Sequence, residues 1–82
     1  MVNVKFFASI RESIGQGQEV VDTQATTLAA LRDELIARGG AYAECLARGK
    51  AVRMALNQVM TLESSALPQG AEVAFFPPVT GG

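Results

Sequence analysis

Hydrophobic and polar residues alternate at the start of the chain. Val2, Val4 and Phe6 fall on one face of an extended segment and Asn3, Lys5 and Phe7 on the other, the period of a half-buried strand. Phe7 is the exception, an aromatic residue on the face that otherwise reads polar. Ser9 and Glu12 have the spacing of a capping box and predict a short helical turn starting at Ser9. Ile10 and Ile14 lie one turn apart in it and point inward. Gly15-Gln16-Gly17 then reverses the chain into a second short strand over 18–22.

Leu28, Leu31 and Leu35 recur at helical spacing, with Ile36 widening the stripe. They predict one main amphipathic helix, N-capped at Thr26 or Thr27 and stopped by Gly39-Gly40. Arg32, Asp33 and Arg38 are expected on its solvent side. A further helical piece over 41–48 buries Leu46, with Cys45 as a small hydrophobe beside it. Residues 51–62 read as a hairpin: Val52, Met54 and Leu56 alternate, Asn57-Gln58 turns, and the chain returns from Val59. Leu67-Pro68-Gln69-Gly70 carries proline and glycine where a β-turn favours them. Val73 and Phe75 then alternate with Ala74 and Phe76 in a last strand. One striped helix among several strands predicts an α+β domain, a single sheet covered on one face.

Composition narrows the function classes. With 82 residues there is room for one domain, and 49% apolar against 18% charged residues is a globular balance. Cys45 is the only cysteine, so no internal disulfide is available, and a lone thiol fits a cytoplasmic location. No apolar run approaches the roughly 18 residues of a membrane span, and no basic-then-apolar leader opens the chain, so no membrane association is expected. Seven basic residues against eight acidic ones give a net charge of −1, which argues against nucleic acid as a partner. There is no histidine, hence no imidazole base, no Ser-His or Cys-His pair and no imidazole metal site. The chain is not expected to be an enzyme by itself, and no metal site is expected in it.

The end of the sequence carries the chemistry instead. The last strand runs into Pro77-Pro78, and Val79-Thr80-Gly81-Gly82 follows. Proline lacks an N–H and fixes φ, so pairing stops there. Residues 1–76 are therefore read as the folded domain, and 77–82 as an extended, mobile tail able to reach about 20 Å from the sheet. Gly81 and Gly82 have no side chains, so the backbone can enter a channel too narrow for a Cβ. The group presented at the tip is the Gly82 carboxylate. A frayed tail is the plain alternative, but it has no reason to follow this order of strand, two prolines and two glycines.

Strand parity adds a second candidate. If Val4, Phe6, Val73 and Phe75 face the helix, Phe7 and Phe76 face away. With Leu56 inward, Met60 also lands on the outer face. Phe7, Met60 and Phe76 then form an apolar patch, with Arg11 as a charged contact at its rim, and such a patch on a small domain points to a partner. A register slip of one residue would reverse every one of these assignments.

The residues resemble a known family, the small subunits of molybdopterin synthase, which are ubiquitin-like sulfur carriers of molybdenum cofactor synthesis. The likeness lies in Glu72-Val73-Ala74-Phe75-Phe76-Pro77-Pro78-Val79-Thr80-Gly81-Gly82, in Val4-Lys5-Phe6-Phe7-Ala8, in Arg11-Glu12 and Gly15, in Leu31, and in Asn57-Gln58. The chain departs at Gly70-Ala71-Glu72, where relatives often have aspartate after the glycine. The resemblance implies a β-grasp fold with the first and last strands side by side at the centre of the sheet. It implies that a ubiquitin-activating-type adenylyltransferase adenylates Gly82 with ATP, that a sulfur donor converts the adenylate to a thiocarboxylate, and that no cofactor is held stably. It further implies that Val79, Thr80 and Gly81 enter the partners' active sites. Sulfur would pass to cyclic pyranopterin monophosphate in the large catalytic subunit, the two kinds of subunit forming a heterotetramer. Phe7, Arg11, Met60 and Phe76 would dock on both partners in turn. The rival readings are a sulfur carrier for thiamine, tRNA thiolation or an amino acid, and a ubiquitin-like modifier whose carboxylate ends in an isopeptide bond.

Overall fold

The computed structural model describes residues 1–78; the expected tail residues Val79, Thr80, Gly81 and Gly82 lie outside the described residues. The elements in chain order are β1 (Val2–Phe6), α1 (Ala8–Ile14), β2 (Gln18–Val21), α2 (Leu28–Ile36), α3 (Gly40–Leu46), β3 (Arg53–Leu56), β4 (Val59–Thr61) and β5 (Glu72–Phe76). The strands form one five-stranded sheet in the order β2-β1-β5-β3-β4. β1 and β5 pair in parallel at its centre, with Val4 opposite Val73 and Phe6 opposite Phe75. The other pairings are antiparallel. This is the α+β arrangement, with central first and last strands, that the sequence led us to expect.

The alternation read from the sequence is the alternation of the core. Val2, Val4, Phe6, Met54, Val73 and Phe75 are buried on one face, under Ile10 of α1, Leu28, Leu31 and Leu35 of α2, and Leu46 of α3. Burying each large apolar side chain contributes about 1.5–3 kcal/mol, so this layer supplies most of the drive to fold. The Asn57-Gln58 turn has φ of 49° and 71°, the left-handed pair that a two-residue hairpin needs.

The start of α2 shows how the loop after β4 locks the helix on. Thr27 Oγ1 accepts from Ala30 N at 3.1 Å. The carbonyls of Ser65 and Glu63 accept from Leu28 N and Ala29 N at 3.1 and 2.8 Å. The first three N–H groups of the helix, which have no partner inside it, are thereby satisfied.

Two expectations need correction. Ser9 does not cap α1. The N-cap is Phe7, in extended conformation and without a side-chain bond, because its N–H still binds the Phe75 carbonyl of the sheet at 3.1 Å. Ala8 turns the chain with a φ of 50°, which leaves Ser9 inside the first turn. Arg32 does not face solvent either; it is buried. Its Nε donates to the Leu46 carbonyl at 2.8 Å, its Nη2 to the carbonyls of Ala47 at 2.8 Å and Lys50 at 3.1 Å, and its Nη1 to Glu63 at 3.0 Å. The guanidinium thus satisfies carbonyls at and beyond the end of α3 and holds that segment against α2. Burial, and next the nearby Arg48, lower its pKa, while Asp33 opposes the shift.

Candidate functional site

The face of the sheet away from the helices is built from the opposite parity of each strand. In one cross-strand row Lys5 lies beside Ala74, Ala74 beside Ala55, and Ala55 beside Met60. In the next row Phe76 lies beside Arg53, and Phe7 continues β1 past its last paired residue. The Phe7 and Phe76 rings meet edge to face, centroids 6.2 Å apart at 85°. Phe7 is 45% exposed and Met60 52%, and Phe76 is half-buried. The structure therefore brings Phe7 and Phe76 into contact and puts Met60 on the same face with β3 between them. Ala55 and Ala74 form the low floor of that gap, shielded to 6% and 8% exposure by larger neighbours.

Leu62, 76% exposed, and Arg53 extend this face, and neither was anticipated from sequence. Leu62 shares the parity of Met60 two residues earlier, a signal that was present. Arg53 needed the β3–β5 register, which no local pattern supplies. The charged groups are arranged around the apolar centre. Lys5 pairs with Glu72 diagonally across β1 and β5 at 3.2 Å. Arg11, on α1, lies beside Lys5, Phe7 and Gln18 at the border of a shallow groove. Among the described residues neither Arg11 nor Arg53 forms an ion pair. Such a face can bury apolar surface against a partner and offer cations to its carboxylates.

Nothing described here prepares a nucleophile or a metal site. Cys45 is half-buried, and burial pushes its thiol pKa up, the reverse of what activation requires. Among the described residues no cluster of cysteine and carboxylate side chains can hold a metal ion, and no helix is long and apolar enough to cross a membrane. The candidate carboxylate of Gly82, with Val79, Thr80 and Gly81 before it, lies outside the described residues.

A five-stranded mixed sheet with parallel central strands, helices on one face and a bare apolar patch on the other defines a ubiquitin-like β-grasp protein. Residues 4–82 match the model of the ThiS family, and the chain belongs to that family. Over 82 residues, spanning 100% of both chains, it is 43% identical to the molybdopterin synthase sulfur carrier subunit of Haemophilus influenzae. It is 42% identical to the protein of the same name from Escherichia coli, again over 100% of both chains. Among solved structures it is similar to the complex of subunits 1 and 2 of the molybdopterin-converting factor from Helicobacter pylori 26695. The match has a TM-score of 0.67 and 27% identity, covering 99% of this chain and 97% of that chain. The resemblance seen in the sequence is borne out along the whole chain.

Proposed function

We propose that this chain is the sulfur carrier subunit of a molybdopterin synthase, a cytoplasmic protein that donates sulfur without being the catalyst. The observation that carries the reading is end-to-end identity of 42–43% with proteins bearing that name. The Helicobacter pylori complex of two subunits supports a large subunit as partner.

The chemistry is assigned to Gly82. A carboxylate is a poor acyl donor until its oxygen becomes part of a better leaving group. An adenylyltransferase supplies this: the carboxylate attacks the α-phosphate of ATP, releasing pyrophosphate and leaving an acyl adenylate. Sulfide-level sulfur delivered by a donor then attacks the carbonyl carbon. The C–S bond forms as the C–O bond to AMP breaks, so AMP leaves and the carbon ends as a thiocarboxylate. The thiocarboxylate stays ionised at neutral pH with its charge on a polarisable sulfur. In the large subunit that sulfur passes to cyclic pyranopterin monophosphate. Gly81 and Gly82 let the backbone into both active sites, and Val79 and Thr80 give the partners side chains to grip. Phe7, Arg11, Met60 and Phe76 form the docking face for both partners, so the two complexes exclude each other.

Intact mass tests this after incubation with the activating enzyme of the same organism, ATP and a sulfur source. A gain equal to replacing one oxygen by sulfur, localised to Gly82, is the expected result. An unchanged mass beside a demonstrably active partner, or an isopeptide bond to a lysine, would overturn it and favour a ubiquitin-like module of another kind.

A further inference from the structure

We propose that Gly17 is a positioning residue, a seat without a side chain on which the Arg11 guanidinium lies at the corner of the outer face. The consequence for docking rests on the partner reading above; the seat itself rests on geometry alone.

Four glycines of the described chain are explained by their backbone. Gly15, Gly39, Gly40 and Gly70 have φ of 89°, 78°, 54° and 82°, and a Cβ on any of them would meet nothing within 4 Å. Gly17 is the reverse case. Its φ is outside the left-handed region, so any residue can adopt it. A Cβ there would stand 3.2 Å from Arg11 Nε, 3.4 Å from Cζ and 3.7 Å from Cδ, its three nearest atoms. What a side chain at position 17 would occupy is the resting place of one guanidinium.

Both sides of this contact are fixed by backbone bonds. The Phe7 carbonyl accepts from Ile10 N and Arg11 N at 3.2 and 3.3 Å, and Gly15 N donates to the Arg11 carbonyl at 2.8 Å. Gly17 is tied to the sheet through its carbonyl, which accepts from Phe6 N at 2.9 Å. A free arginine side chain loses rotamer entropy on being held by a partner. An arginine already resting against Gly17 loses less, which is preorganisation of one contact. The partner group it suits is a carboxylate.

The seat predicts effects that a fold-stabilising glycine does not. Gly17→Ala and Gly17→Val are made in the full chain, alone and with Arg11→Ala. In the free wild type, NMR should show an NOE between Arg11 Hε and the Gly17 α-protons. Melting temperature should move by less than about 4 °C in each variant, because only a flexible side-chain end is displaced. Affinity for the synthase large subunit of the same organism should fall about threefold for Gly17→Ala and about tenfold for Gly17→Val, matching Arg11→Ala. In the Arg11→Ala background, substitution at 17 should change nothing further. A missing NOE, or losses at 11 and 17 that simply add, would overturn the seat. If the wild-type chain does not bind the large subunit, the proposed function fails, and the NOE alone decides the seat.

Discussion

Two Phe-Phe pairs stand on neighbouring parallel strands and meet opposite fates. Phe6 and Phe75 turn under the helices, stack with centroids 6.2 Å apart at 16°, and are 1% and 0% exposed. Phe7 and Phe76, each one residue further on, turn to the other side and meet edge to face with no helix over them. The side chains are the same and the strands are the same. What differs is parity, because a strand sends successive residues to opposite faces and α1, α2 and α3 cover only one of them. The inner pair supports the folded state. The outer pair leaves apolar area in water that a partner can remove.

The largest expected effect is on the inner pair. Phe75→Ala should lower unfolding free energy by about 3–5 kcal/mol, through lost transfer energy and a cavity between Phe6 and Met54. Urea denaturation measures this, and a loss under about 1 kcal/mol would erase the distinction between the faces. Next is the polar clamp over the same layer. Arg32→Met should cost about 2–4 kcal/mol, since the carbonyls of Leu46, Ala47 and Lys50 lose their charged donor. Arg32→Lys should recover only part of it, because an ammonium cannot reproduce the planar fork. Full recovery by lysine would show that the site needs only charge.

The outer pair sharpens the contrast by inverting the readouts. Phe76→Asp should cost less than about 1 kcal/mol of stability yet weaken large-subunit binding by about 2 kcal/mol or more, as at an interface hot spot. A calorimetric titration beside a thermal melt separates the two. A collapse in melting temperature with binding intact would move Phe76 into the core.

Most of this division was legible in the sequence because it depends on periodicity. The leucine stripe and the alternation in β1, β3 and β5 each register one neighbourhood, and the burial follows them. The misreadings were those in which a distant segment decides. Arg32 sits beside the leucine stripe, where a helix considered alone reads exposed, and only the folding of the 47–50 segment over it makes it buried. Ser9 carries the local signature of a cap, but the sheet bond of Phe7 sets the cap two residues earlier. Strand parity alone puts Phe7, Met60 and Phe76 on one face but does not set the separation of Met60 from Phe76, because strand order is a non-local property. Gly17 read as a turn residue for the same reason: its contact is with a side chain six residues earlier, across a reversal of the chain.

The smallest expected effect lies at the rim of the inner layer and concerns alkali. Tyr42 touches Phe6 edge on, centroids 6.1 Å apart, and its hydroxyl donates to Glu19 at 2.6 Å while accepting from Gln16 at 3.1 Å. Desolvation, and then the bond to Glu19, raise the phenol pKa above its ordinary value. The folded chain therefore holds that proton more tightly than the unfolded chain. The associated stability is fully present below the unfolded value of about 10 and is lost as pH rises through the folded one. Burial raises the Cys45 thiol in the same direction, so its contribution also declines in alkali. Stability measured by urea midpoint should accordingly fall above about pH 9. Tyr42→Phe should make that fall shallower, because the titrating group is gone while the ring keeps its contact with Phe6. An alkaline slope just as steep in Tyr42→Phe would mean that the phenol is no better protected than in the unfolded chain. The polar rim of the inner layer would then contribute packing but no proton linkage.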